Sequence, residues 1–172
     1  MARLRLLALA LLLLLAQQLI VALLPAWARP DLLLVFALAL GLRARATESL
    51  ILAFGVGFAL DAMSGAPAGL YALLRGTACA ATRLVDRALF LRAALPWLLF
   101  AGVYAIVDGL LLGGLMRLFA PASALGWLDV VARQLGTAVA TAVVALPVLY
   151  AVTRADGESD ADGTVPLMGS RS

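Results

Sequence analysis

The sequence predicts an all-α polytopic membrane protein, a bundle of six transmembrane helices. Three observations carry that expectation. Hydrophobic residues make up 65% of the 172-residue chain and charged residues only 13%. Mean hydropathy is +1.06, a value of bilayer-spanning chains rather than soluble domains. Apolar runs recur throughout, separated by short turns that carry arginine or Gly and Pro. The length holds about five or six spans at roughly 20 residues each.

The composition also excludes chemistry. The chain has no histidine and a single cysteine, Cys79. Histidine-based catalysis, an internal disulfide and most transition-metal sites therefore fall away. No Gly-rich phosphate loop, nucleophile elbow or zinc-protease motif is present. A non-enzymatic protein is expected, with no catalytic residue, no metal and no cofactor. All 13 basic residues are arginine and the net charge is +3. There is no basic stripe interleaved with aromatics, so the arginines point to membrane orientation and not to nucleic acid.

The first helix is expected over residues 4–24, behind Arg3 and Arg5. Ala26-Trp27-Ala28 resembles a small-x-small cleavage site, but the apolar run is longer than the 7–15 residues of a signal core, so a retained helix is the reading. Gln17 and Gln18 lie inside it, where one amide can hydrogen-bond to neighbouring helices. Pro30 followed by Asp31 opens the second helix, 31–46, since proline suits the first helical position and an acid the positive end of the dipole. This stretch would span about 24 Å at 1.5 Å per residue. It is thus a thin span or a re-entrant half, and Arg43 and Arg45 favour crossing.

Thr47 and Glu48 begin the third helix, 48–64. A turn at 65–68 leads to the fourth, 69–84. Arg83, Asp86, Arg87 and Arg92 fall in the next loop. The fifth helix covers 95–119 from Pro96 and Trp97. Residues 121–126 form an uncharged turn, and the sixth helix, 127–153, is kinked by Pro147. The acidic remainder, 154–172, is expected to be a disordered cytoplasmic tail.

Alternating the spans places Arg3, Arg5, Arg43, Arg45, Arg83, Arg87, Arg92 and Arg154 on one side and leaves Arg29 in the turns of the other. The positive-inside rule makes the first side cytoplasmic, with both termini there. Trp27 and Trp127 then belong to the outer interface and Trp97 to the inner one.

The remaining charges sit at membrane depth. Asp61 lies about 4–5 Å inside the outer end of its helix, Arg75 and Arg133 about 8–9 Å, and Asp108 about 15 Å. Each alone would cost roughly 2.5–3.5 kcal/mol at the bilayer centre. Such groups face the bundle interior and pair. A polar pocket in the outer half is expected, with Asp61–Arg75 and Asp108–Arg133 as pairs and Asp61–Arg133 equally drawable. Ion pairs of this kind either bind a ligand or lock the helices together. Gly109 with Gly113, Gly136 with Ala140, Thr137 with Thr141, and Gly76 with Ala80 mark packing seams. Such seams serve intramolecular packing first, and a homodimer is their other use.

Three motifs bring a resemblance into view: Pro30-Asp31-Leu32, then Gly57-Phe58 followed by Asp61, then Ser64-Gly65-x-Pro67-x-Gly69-Leu70. Over residues 1–153 the chain resembles the bacterial rod shape-determining protein MreD family. The resemblance implies a non-enzymatic scaffold of the cell-elongation machinery in the inner membrane. It implies MreC as direct partner, with RodA, penicillin-binding protein 2 and MreB in the wider complex. It also implies a fold similar to the substrate-binding subunits of energy-coupling-factor vitamin transporters, which defines the rival function. Against that rival, Ala2, Ala8, Ala10, Ala16 and Ala22 give no Ala-x-x-x-Ala docking pattern within the first helix; only Ala22 and Ala26 match, across Pro25.

Overall fold

The computed structural model describes residues 2–43, 45–64, 67–89, 91, 93–119 and 127–157, without the side chains of residues 2, 89, 116–119, 127–130, 133, 156 and 157. These residues form helices α1 (Ala2–Leu23), α2 (Leu32–Gly41), α3 (Ala46–Ser64), α4 (Leu70–Leu89), α5 (Ala94–Phe119) and α6 (Trp127–Gly157), with a 3₁₀ turn at Ala26–Ala28. Four of them are long and apolar enough to cross a membrane: α1, α3, α5 and α6. The protein is thus an α-helical membrane protein by the length and composition of its helices. Large apolar side chains such as Leu4, Leu12, Phe58, Val103 and Val143 stand exposed on their outer faces. That pattern suits a lipid-facing surface.

α2 departs from expectation. It has 10 residues, not the 16 of residues 31–46, and all ten are buried. At 1.5 Å per residue it covers about 15 Å, half the hydrocarbon thickness. It is the central element, packed by α1, α3, α4 and α6. Hydrophobicity cannot have selected this position, because lipid is as apolar as its leucines. Its polar ends decide. One end of so short a helix stops at membrane depth, where orphan backbone groups need protein partners.

Those partners are present at both ends. The Leu32 amide donates to Gln17 Oε1 at 2.9 Å, the Leu34 amide to Asp31 Oδ1 at 2.8 Å, and the Asp31 amide to Thr141 Oγ1 at 3.0 Å. At the other end the Arg83 guanidinium donates to the Arg43 carbonyl. The buried amide anticipated in the first helix is therefore Gln17, serving as a cap.

Long-range contacts set the helix directions. α1 and α3 begin together, where Arg3 pairs with Glu48. α3 and α4 run antiparallel, with the Asp61 carboxylate at the Gly69 amide and the Phe54 ring against Gly76. α5 and α6 do likewise. Trp97 meets Ala145, Gly102 faces Ala142 and Gly109 faces Gln134. α6 passes Ala26 at Thr137 and Asp31 at Thr141, so it follows the direction of α2.

Three further expectations change. α4 continues to Leu89, so Arg83, Asp86 and Arg87 are helical rather than loop residues. Trp97 is not an interfacial anchor. It is fully buried, and its indole N–H donates to the Ala145 carbonyl at 2.9 Å. This bond lies two residues before Pro147, which interrupts the helical ladder of α6. Trp27 is 61% exposed. α6 extends to Gly157 rather than ending at residue 153. The tail call for residues 158–172 and the turn call for 121–126 lie outside the described residues.

The α3–α4 contact depends on a missing side chain. A Cβ at Gly57 would lie 2.5 Å from the Tyr71 carbonyl oxygen and from the Ala72 Cα, both rigid backbone. Gly55, half a turn earlier, has nothing within 4 Å. Gly57→Ala is expected to destabilise the purified full-length protein by about 1–3 kcal/mol, as overpacking does. Gly55→Ala should be neutral or better. Detergent-driven unfolding followed by circular dichroism checks both, and equal stability of the two variants would contradict this packing.

Candidate functional site

The polar centre is built from the turn between α3 and α4 upward. Gly69 has φ +93°, and the Leu70 amide donates to the Pro67 carbonyl at 3.2 Å. This is the arrangement of a type II turn, whose third position takes glycine because its φ is positive. The Pro67-x-Gly69-Leu70 motif therefore folds the chain back tightly enough to present the first amides of α4 to the last turn of α3. Gly65 lies outside the described residues.

Asp61 receives those amides. Its Oδ1 accepts from the Tyr71 N–H at 2.8 Å, and its Oδ2 from the Gly69 and Ala72 N–H groups at 3.0 and 3.2 Å. It is 5% exposed. A carboxylate at a helix N-terminus satisfies orphan donors and meets the positive end of the dipole. Asp61 is thus neutralised by backbone, and the expected Asp61–Arg75 pair does not form. Distance along the chain hid this. Asp61 lies in the last turn of α3 and faces the first amides of α4, so the closest positive potential is the helix end itself.

Arg75 turns elsewhere. It is completely buried, and its Nη2 lies 2.7 Å from Asp31 Oδ2 and 3.3 Å from Asp108 Oδ2. The Tyr71 ring, one turn earlier on α4, sits with its centroid 6.0 Å from the guanidinium carbon, within cation–π range. One guanidinium thereby joins the N-terminus of α2 to α4 and to the middle of α5. Asp108 meets Arg75, and the expected Asp108–Arg133 pair, with its alternative Asp61–Arg133, rests on a side chain outside the described residues. The side chain of Arg133 lies outside the described residues, as do those of Arg117 and Asp129.

Asp31 has two tasks. Its Oδ1 caps α2 and its Oδ2 takes the arginine. Pro30 stands before this cap, not at the first helical position expected of it, because Asp31 itself is the N-cap and the helix begins at Leu32. The sequence marked Asp31 as a helix start and missed its pairing. The signal was available: arginine has a long stem, and a buried one can reach an acid on a helix beyond its nearest neighbour in sequence. Tyr71, Gln17 and Thr141 were likewise not expected at this site. Hydroxyl and amide groups carry too little sequence signal to be assigned a depth or a face.

The centre is enclosed and its polar groups are largely spent on one another. Arg75 Nε and Nη1 and Asp108 Oδ1 are buried without a hydrogen-bond partner among the described residues. Among those residues no group of three or more acids or cysteines is placed to hold a metal. The fold and the centre define a class: a helical membrane protein whose buried ions tie its helices together. Compared with protein-family models, with characterised proteins and with solved structures, the chain matches none.

Removing one member of such a cluster leaves its partners charged and unpaired in a dry interior. Arg75→Met is expected to cost about 3–5 kcal/mol of stability, since two carboxylates lose their counter-charge. Adding Asp108→Asn to that variant should restore part of the loss. Unfolding of the full chain in mixed micelles measures both. A stable Arg75→Met protein, or no recovery in the double variant, would show that the guanidinium does not hold α2, α4 and α5 together.

Proposed function

We propose that this protein is a non-enzymatic membrane scaffold of the cell-elongation machinery, of the kind the MreD resemblance implies. In this reading all six helices lie within the inner membrane, four of them spanning by length and composition, and both termini are cytoplasmic. MreC is the direct partner, and RodA, penicillin-binding protein 2 and MreB belong to the wider complex. The observation that carries the reading is the enclosure of Arg75. Its charge is spent between helices, on Asp31 and Asp108. Asp61 is spent on backbone. Charges used this way fix helix positions and favour one rigid conformation. Rigidity of that kind suits a protein that holds partner segments in one place by binding a single conformation.

One observation favours the alternative, a substrate-binding subunit of a small-molecule transporter. The unpartnered Nε and Nη1 of Arg75 and Oδ1 of Asp108 are donors and an acceptor that a polar ligand can use.

Co-purification in mild detergent tests the scaffold. The full-length chain is expected to retain MreC through affinity capture, and depletion in a rod-shaped host should round the cells. Capture without MreC, together with normal cell shape and a defect in nutrient uptake, would replace the scaffold with the transporter.

A further inference from the structure

A groove of about 410 Å³ lies between α1 and α3, away from the polar centre. Leu7, Leu11 and Leu14 form one wall, and Ile51, Val56 and Ala59 the other. Gly55 leaves the α3 side open, since nothing approaches within 4 Å of where its Cβ would be. The groove has a charged end. Arg3 stands one helical turn before Leu7 on the same stripe of α1. Glu48 stands one turn before Ile51 and Leu52 on α3. The two pair across the mouth. Arg45 joins them, with its Nη1 3.6 Å from the same Glu48 oxygen. Their side chains remain 73% and 65% exposed. Two arginines share one carboxylate, so the mouth keeps a net positive charge at the arginine-rich end of the bundle.

We propose that this groove is a binding site for an anionic phospholipid, one acyl chain lying between α1 and α3 and the phosphate held by Arg3 and Arg45. An apolar channel headed by guanidiniums matches a lipid's tail and headgroup in the right order. A partner's transmembrane helix matches less well. Its own cytoplasmic flank would carry Lys or Arg to the same end, where two arginines already stand. The site needs the membrane-spanning character of α1 and α3, and the poorer match of a partner helix also needs the cytoplasmic placement of this end proposed above; neither depends on the scaffold function.

Native mass spectrometry of the full-length protein, titrated with phosphatidylglycerol or phosphatidylcholine, tests it. The wild type should bind phosphatidylglycerol about tenfold more tightly, an order of magnitude consistent with two surface arginines. Arg3→Gln with Arg45→Gln should abolish that preference and leave phosphatidylcholine binding unchanged. Gly55→Leu, which fills the groove, should weaken both lipids. Equal binding by the wild type, a preference that survives the double substitution, or no effect of Gly55→Leu each overturns the proposal. Should the double variant not fold, the wild type serves: its preference must fall with added salt, and a salt-independent preference overturns the assignment to these arginines. A photoreactive residue replacing Leu11 should label phospholipid in native membranes. Labelling of a polypeptide there instead would make the groove a protein interface.

Discussion

A helix half as long as the bilayer is thick has to end inside it, and Asp31 is how this protein ends one. α2 spans about 15 Å, so it cannot present both ends to water, and its N-terminal amides find their acceptors within the protein. The Asp31 carboxylate takes the Leu34 amide, but a carboxylate at that depth brings its own desolvation cost. Arg75 offsets that charge from α4, and the same guanidinium also meets Asp108 from α5, so two carboxylates share one positive charge. Capping one short helix thereby recruits two others. Gln17 from α1 and Thr141 from α6 complete the same end. Five helices converge on one point because backbone groups in a membrane must be satisfied from within the protein.

The same logic explains why the charges come as they do. α4 is as long as the membrane-spanning helices, yet it carries Arg75, Arg83, Asp86 and Arg87 and is too polar to count among them. Its arginines are used at both ends of α2. Arg75 serves the N-terminal cap, and Arg83 reaches the Arg43 carbonyl beyond the C-terminus. α4 exchanges lipid compatibility for the role of clamp. Its own N-terminus is held by Asp61, the equivalent service rendered by α3. Each buried acid thus sits at a helix start or against the guanidinium that a helix start requires.

The long elements were legible because a hydrophobic run bounded by Arg, Gly or Pro leaves few choices. The 48–64 helix is observed as Ala46–Ser64, and the fifth starts within one residue of its expected place. α2 was overextended because Leu42 continues its apolar run, whereas the structure turns the chain at Leu42 and Arg43. Depth counted in 1.5 Å steps put Asp61, Arg75 and Asp108 correctly among the buried residues. It could not pair them. Pairing depends on which helix faces which, and the decisive neighbour of Asp61 was a set of backbone amides that has no letter in the sequence. That count left out Asp31, read only as a helix start, although the helix it opens is buried from its first residue.

The outer surface adds one consequence. If buried ions fix the interior, selection of partners and lipids falls to the faces they leave free. α1 illustrates the division of labour. Its buried face gives Gln17 to α2 and Leu6 and Ala10 to the core, while Leu4, Leu11, Leu15 and Leu19 face outward. A leucine-rich outer face is indifferent to which acyl chain or apolar helix it meets, because dispersion contacts alone discriminate little. Selectivity has to come from features that break that uniformity. On the described surface of α1 and α3 those are the open site at Gly55 and the arginines gathered around Glu48, and they lie on one continuous stripe.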